Sequence, residues 1–232
     1  MNLGELAFAC HVYSYTTNYD SSFRRLLSAT KPRLDLHDDN HLMYLLKWLN
    51  VWGCRQFSIK DHKLAAGEIK SWYGEFAEIL VPEETTLISL SEDDLKGIES
   101  AYSNLCSKTA SNRRSRNGEL SPVIVGPTGA AKILFALRPN SLMPWDEPIR
   151  KKFVLDGTGN SYSEYLRKAR NLLEELSKDC KEKDFELSEL PQKLNRLESS
   201  LAKLIDEFYW VTVSRKCLAP SKEILQQWIS WM

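Results

Sequence analysis

The chain has few of the residues that hold metals or cross-links. Its five cysteines, Cys10, Cys54, Cys106, Cys180 and Cys217, lie far apart among 232 residues and form no C-x-x-C pair. That pattern excludes a zinc ribbon, an iron–sulfur motif and a paired disulfide framework. A reduced, cytoplasmic protein is the expectation. His37 and His41 stand one helical turn apart around Asp38 and Asp39, but no third ligand is spaced to complete a site, so no metal is expected. No apolar run approaches the ~18 residues of a membrane helix, and no membrane partner is expected. The first residues lack the basic region and the small-residue cleavage site of a secretory signal. Neither sign of charge is in surplus, with 31 basic and 31 acidic residues, which argues against an overall electrostatic grip on nucleic acid. The nucleophile elbow, the Walker loop and the H-E-x-x-H motif are absent. Asp156-Gly157-Thr158-Gly159-Asn160 is glycine-rich but follows no strand, so it reads as a loop and not a phosphate cradle. No cofactor is expected.

What remains is ordinary for a soluble globular chain, 43% apolar and 27% charged. Helical spacing recurs and strand-like alternation is scarce, so the expected fold class is all-α. Residues 1–232 read as one helical unit that can divide into two lobes with a site between them. His41 to Trp52 is apolar on a broad face, with Asp38, Asp39 and Asn40 ahead of it as caps. Leu64, Ile69, Trp72, Phe76 and Leu80 form a second stripe that Pro82 closes, and Ser91 with Asp94 opens a third helix. Tyr162, Tyr165, Leu166, Ala169, Leu172, Leu176 and Cys180 fit a longer one. Leu187, Leu190, Leu194, Leu197, Leu201, Leu204 and Phe208 keep a 3-4 spacing, with Ser188 as cap and Pro191 in the first turn. This last stripe predicts a single helix. It packs within a monomer, or it offers a dimer seam through Leu187–Phe208.

The most specific segment is 112–153. Asn112 to Ser121 reads as a polar, turn-rich loop. From Asn112 to Lys152 there are eight basic and three acidic residues, a net +5 that the neutral total conceals. A tight turn is expected at Gly126-Pro127, with Pro127 opening a helix. The small residues Gly129, Ala130 and Ala131 allow close helix packing. Pro144-Trp145-Asp146 then leads into a helix carrying Arg150, Lys151 and Lys152.

This segment resembles the helix-hairpin-helix DNA glycosylases, whose hairpin reads roughly L-P-G-h-G-x-K-T-A, followed by a segment carrying an essential aspartate. Gly126 matches the second hairpin glycine and Ala130 the alanine. Thr128 stands where strand-nicking members carry lysine. Asp146 follows Thr128 by 18 residues, in keeping with the family, and Ile149-Arg150 match the residues after the aspartate. Ile124 replaces the first hairpin glycine, and the four-cysteine cluster of some members is missing.

The resemblance implies an enzyme that flips a base out of DNA and hydrolyses its bond to the sugar. Asp146 would stabilise the positive charge that builds on the sugar. With Thr128 in place of lysine, water would be the nucleophile and an abasic site the product. Lys132, at i+4 on the same face, is the one amine near enough to change this. DNA contacts would fall to Gly126, Thr128, Gly129, Lys132, Arg113, Arg114, Arg116 and Arg150. Asn50 would fill the gap left by the flipped base, and Trp145, Tyr209 and Trp210 would line its pocket. The partner would be DNA with a flipped-out damaged base, or a bulkier modified base of phage DNA in a defence role. Two other readings stay open: a helical DNA-binding module without catalysis, and a dimerising scaffold. In both, Asp146 is an ordinary helix cap and the tryptophans are core residues.

Overall fold

The computed structural model describes residues 1–114, 117–221 and 223–224. The described residues include ten α-helices and one two-stranded sheet, so the chain is mainly helical but not all-α. The main buried apolar core runs from Leu6 to Tyr209, and a second, smaller cluster holds Ala9, Tyr13 and Val211.

Helices α1 (Leu3–Thr16) and α2 (Tyr19–Ala29) lie at the start of the chain. Helix α3 (Asp39–Val51) begins where Asp38 accepts the amides of Asn40 and His41, and it buries Leu42, Leu45, Leu46, Trp48 and Leu49. The histidines of this region have other partners: His41 Nδ1 takes the Asp35 amide, and the His37 ring packs tilted against Tyr73, with centroids 5.1 Å apart. Helix α4 (His62–Phe76) ends six residues before Pro82. Helix α5 (Glu92–Ser107) opens on the reciprocal Ser91–Asp94 capping box read from the sequence.

The stretch expected to be a loop is a β-hairpin. Strand β1 (Thr109–Arg114) pairs antiparallel with β2 (Leu120–Ile124), placing Arg113 opposite Ser121 and Arg114 opposite Leu120. Asn117-Gly118 is the dipeptide that favours a two-strand turn, and Gly118 takes the required positive φ of 85°. The ribbon occupies the connection between α5 and α6 (Gly126–Leu137), and its base closes where the Val125 amide donates to the Lys108 carbonyl at 2.8 Å. The resemblance calls for a tight turn between two helices; here the helices are joined through this arm. Gly126, at φ 65°, redirects the chain from β2 into α6.

Helix α7 (Glu147–Lys152) is short. Helix α8 (Gly159–Lys181) starts at the Thr158 cap and buries Tyr162, Tyr165, Leu166, Ala169, Leu173, Leu176 and Cys180. Leu173 takes the place expected for Leu172, which is only partly buried. Its first residue is where α8 meets α5 most tightly. A Cβ on Gly159 would lie 2.2 Å from Ser103 Oγ and 2.5 Å from the Glu99 carbonyl oxygen. Gly159→Ala therefore forces two packed helices apart and should cost about 1–3 kcal/mol. At ~2–4 °C per kcal/mol for a chain of this size, a thermal melt should detect it. An unchanged melting temperature would show that the contact yields freely.

The expected Leu187–Phe208 helix is broken. A single turn at Leu187–Glu189 leads into α9 (Leu190–Lys193), and α10 (Leu201–Tyr209) starts anew at the Ser200 cap. Asn195 between them adopts φ 55°, a left-handed conformation that ends a helix. Leu197 points to solvent, 73% exposed, while Leu190 and Leu204 are buried. No continuous helical seam for a dimer exists along these residues. α10 runs on as a π-helical turn, Trp210–Ser214.

Candidate functional site

Asp146 is the N-cap of α7. Its Oδ1 accepts the Ile149 amide at 3.0 Å. Its Oδ2 accepts the Ser214 hydroxyl at 2.7 Å, so the π turn after α10 helps to orient the carboxylate. The side chain faces a cavity of about 350 Å³, within the range of small-ligand sites. Five parts of the chain meet there: Tyr13 and Tyr19 from the first two helices, Trp52-Gly53 after α3, Thr128 and Lys132 from α6, Pro144–Ile149, and Asp206 with Trp210.

Aromatic rings make much of the wall. Trp210 lies edge-on to Tyr13, with centroids 5.3 Å apart, and to Tyr19 at 5.9 Å. Tyr19 in turn meets Trp52 at 5.5 Å. Planar rings of this kind are platforms on which a base can stack, at ~1–3 kcal/mol per base. Lys132 lines the same cavity, and its Nζ donates to the Trp52 carbonyl.

Behind the aromatic wall lies a buried charge cluster. Lys203 Nζ sits 3.2 Å from Glu207 Oε1, 3.3 Å from Asp206 Oδ2 and 3.6 Å from Asp20 Oδ1. Arg196 pairs with both Asp20 and Glu207. The Lys203 ammonium also lies 3.8 Å from the centre of the Tyr13 ring, a cation–π contact. Burial disfavours the Lys203 charge, but Glu207, Tyr13, Asp206 and Asp20 outweigh it and hold the group protonated well above its ordinary range. Asp206 is pushed up to about 6, by burial first, opposed by Lys203 and reinforced by Glu207 and Asp146. Lys203, Asp20 and Arg196 also line a second cavity of about 440 Å³, so the cluster borders two hollows.

The structure brings together Asp146, Thr128, Lys132, Trp145 and Trp210 from the sequence-predicted set. Trp145 belongs mostly to the core, and its Nε1 donates to the Pro127 carbonyl at 3.1 Å. Others are placed differently. Tyr209 is not part of the wall; it is buried against Phe153 and Tyr165. Asn50 is tied to His62 at 3.1 Å, and it is Trp52 and Gly53, just beyond, that reach the cavity. Gly129 is buried against Gln56, Val125 and Phe57, so its smallness serves packing. Arg150 is half-buried, with its guanidinium 5.8 Å from the Trp145 ring centre and against the Gly157 turn. Arg113 and Arg114 are exposed on the ribbon, and Arg116 lies outside the described residues.

Sequence reasoning missed Tyr13, Tyr19, Asp206, Lys203 and Ser214. One signal was available. Lys203, Asp206 and Glu207 recur at i, i+3 and i+4, a charged line on one face of an otherwise apolar helix. No such pattern marks Tyr13 or Tyr19.

Fold and site together define a mainly helical protein with a carboxylate-bearing, aromatic-lined cavity. Searches of protein-family models, curated proteins and solved structures each return no match to this chain.

Proposed function

We propose that the protein is a monofunctional DNA glycosylase that hydrolyses the bond between a damaged or modified base and its sugar. The observation that carries this reading is the setting of Asp146: a carboxylate held by two hydrogen bonds on the wall of an aromatic cavity. A flipped base stacks among Trp52, Trp210, Tyr13 and Tyr19. The Asp146 carboxylate stabilises the positive charge that builds at the sugar as the bond breaks. A water attacks, because Thr128 has no amine to offer and the Lys132 amine is engaged with a backbone carbonyl.

The test is a panel of oligonucleotides carrying damaged and enzymatically modified bases. Base release should leave an intact strand that breaks only on later heat or alkali. Borohydride should trap no protein–DNA adduct, since no imine forms. An adduct that disappears in Lys132→Ala would show that an amine attacks instead of water. The alternative is a non-catalytic DNA-binding module, favoured by the capping role that already occupies Asp146 Oδ1. It predicts DNA binding with no base release from any member of the panel.

The ribbon supplies a second prediction. Arg113 and Arg114 stand exposed on β1. Changing both to Glu should weaken binding to all sequences and flatten its salt dependence, because fewer counterions are released. An unchanged affinity and salt slope would place the DNA surface elsewhere.

A further inference from the structure

Three carboxylates line the cavity, Asp146, Glu147 and Asp206; the mechanism above uses the first, and Glu147 is an exposed residue paired with Lys151 at 2.7 Å. Asp206 reaches the wall from α10, whereas Asp146 reaches it from the start of α7. Asp206 Oδ2 is anchored by Lys203 Nζ at 3.3 Å. Its Oδ1 takes no hydrogen bond among the described residues. We infer that Asp206 is the general acid that protonates the departing base, while Asp146 supports the sugar cation. The inference rests on the glycosylase reading and deepens it.

The charges around Asp206 favour a proton there. On its own helix it faces Lys203 and Glu207. Tyr13 of α1 and Asp20 of α2 share Lys203 with it, and Arg196 closes the cluster from the segment before α10. Asp146 of the α7 start and Tyr165 of α8 also feel its charge. Three carboxylates, Asp20, Asp206 and Glu207, share two cations, Lys203 and Arg196. A neutral Asp206 balances that inventory. Burial pushes it up to about 6, close enough to neutrality to lend a proton and recover it.

The step balances. As the C1′–N bond breaks, its electron pair goes to the base, and the Asp206 proton moves to a ring nitrogen or carbonyl oxygen of that base. Water adds to C1′ and gives its proton through Asp146 to solvent. Solvent then returns a proton to Asp206. A neutral base needs this help because it would otherwise depart as an anion. An N7-methylated guanine does not, because it is already cationic and departs neutral.

Two measurements test the assignment, the first independent of any substrate. In protein labelled with 13C at the aspartate carboxyls, one resonance should titrate near 6 and be missing from Asp206→Asn. An Asp206 that titrates in the ordinary carboxylate range overturns the proposal. The second is single-turnover release from oligonucleotides containing uracil, hypoxanthine, 8-oxoguanine or 7-methylguanine. For a neutral base that is released, the wild-type rate should fall above about pH 6. Asp206→Asn should be slower by ~10²–10⁴ at its optimum, with that pH dependence gone, and Asp206→Glu should recover part of the rate. Asp206→Asn should slow release of 7-methylguanine far less than release of a neutral base and should keep the wild-type circular-dichroism spectrum, which separates a lost proton from a lost fold. Equal wild-type and Asp206→Asn rates on a neutral base would sink the role of Asp206 and leave the glycosylase reading intact. No release from any oligonucleotide by the wild type would remove that reading, and the acid role with it.

Discussion

Asp146→Asn is expected to fold, to bind DNA and to lose base release by at least about a hundredfold, the scale on which removing one electrostatic stabiliser acts. The variant separates charge from shape. Asparagine caps helices as well as aspartate does, and its side-chain oxygen can still accept the Ile149 amide. Its amide nitrogen can donate to Ser214 Oγ where Oδ2 now accepts. What disappears is the negative charge beside the sugar. Asp146→Ala is a poorer test because it also removes the cap, at ~1 kcal/mol. Single-turnover release compared with binding by the same variant reads the split directly. Turnover at the wild-type rate would reduce Asp146 to a cap and favour the non-catalytic module.

The second large effect should fall on stability. Glu207 has no exposed surface and bridges Lys203 and Arg196. Glu207→Ala leaves the buried Lys203 and the partly buried Arg196 with less compensation. Breaking a buried ion pair from one side costs about 3–5 kcal/mol, a large fraction of the stability of an ordinary domain. The denaturation midpoint should fall sharply. Adding Lys203→Met should recover part of the loss, because the stranded ammonium goes with it and an apolar chain of similar length remains. A small effect of Glu207→Ala alone would mean that water reaches the cluster and screens it.

Helices with strong local signals were legible. The Asp38 and Ser91 caps set the starts of α3 and α5, because those hydrogen bonds are made within one turn of chain. The aromatic and leucine stripe of α8 likewise matches its buried face. The leucines of 187–208 misled because spacing does not report continuity. Pro191 opens a four-residue helix, Asn195 turns left-handed, and Leu197 keeps the period while pointing into solvent. The ribbon was missed although Asn117-Gly118 announces it, because its strands are too polar to alternate clearly. At the site, Asp146 and Thr128 were expected from the resemblance, whose motif is local in the chain, and Lys132 followed as the residue one helical turn beyond Thr128. Tyr13, Tyr19 and Asp206 were not, since they come from distant parts of the chain and meet only through packing.

The π-helical turn after α10 makes the length of that segment a fixed quantity. Its backbone bond from the Arg215 amide to the Trp210 carbonyl spans five residues in place of four, equivalent to one residue inserted into an α-helix. Each residue of an α-helix advances the side chains by about 100°, so removing any one residue from Val211–Val213 would restore ordinary winding and swing Ser214 away from Asp146. In a set of natural or engineered variants, insertions and deletions should therefore be rarer between Trp210 and Ser214 than in the exposed turn of the β-hairpin.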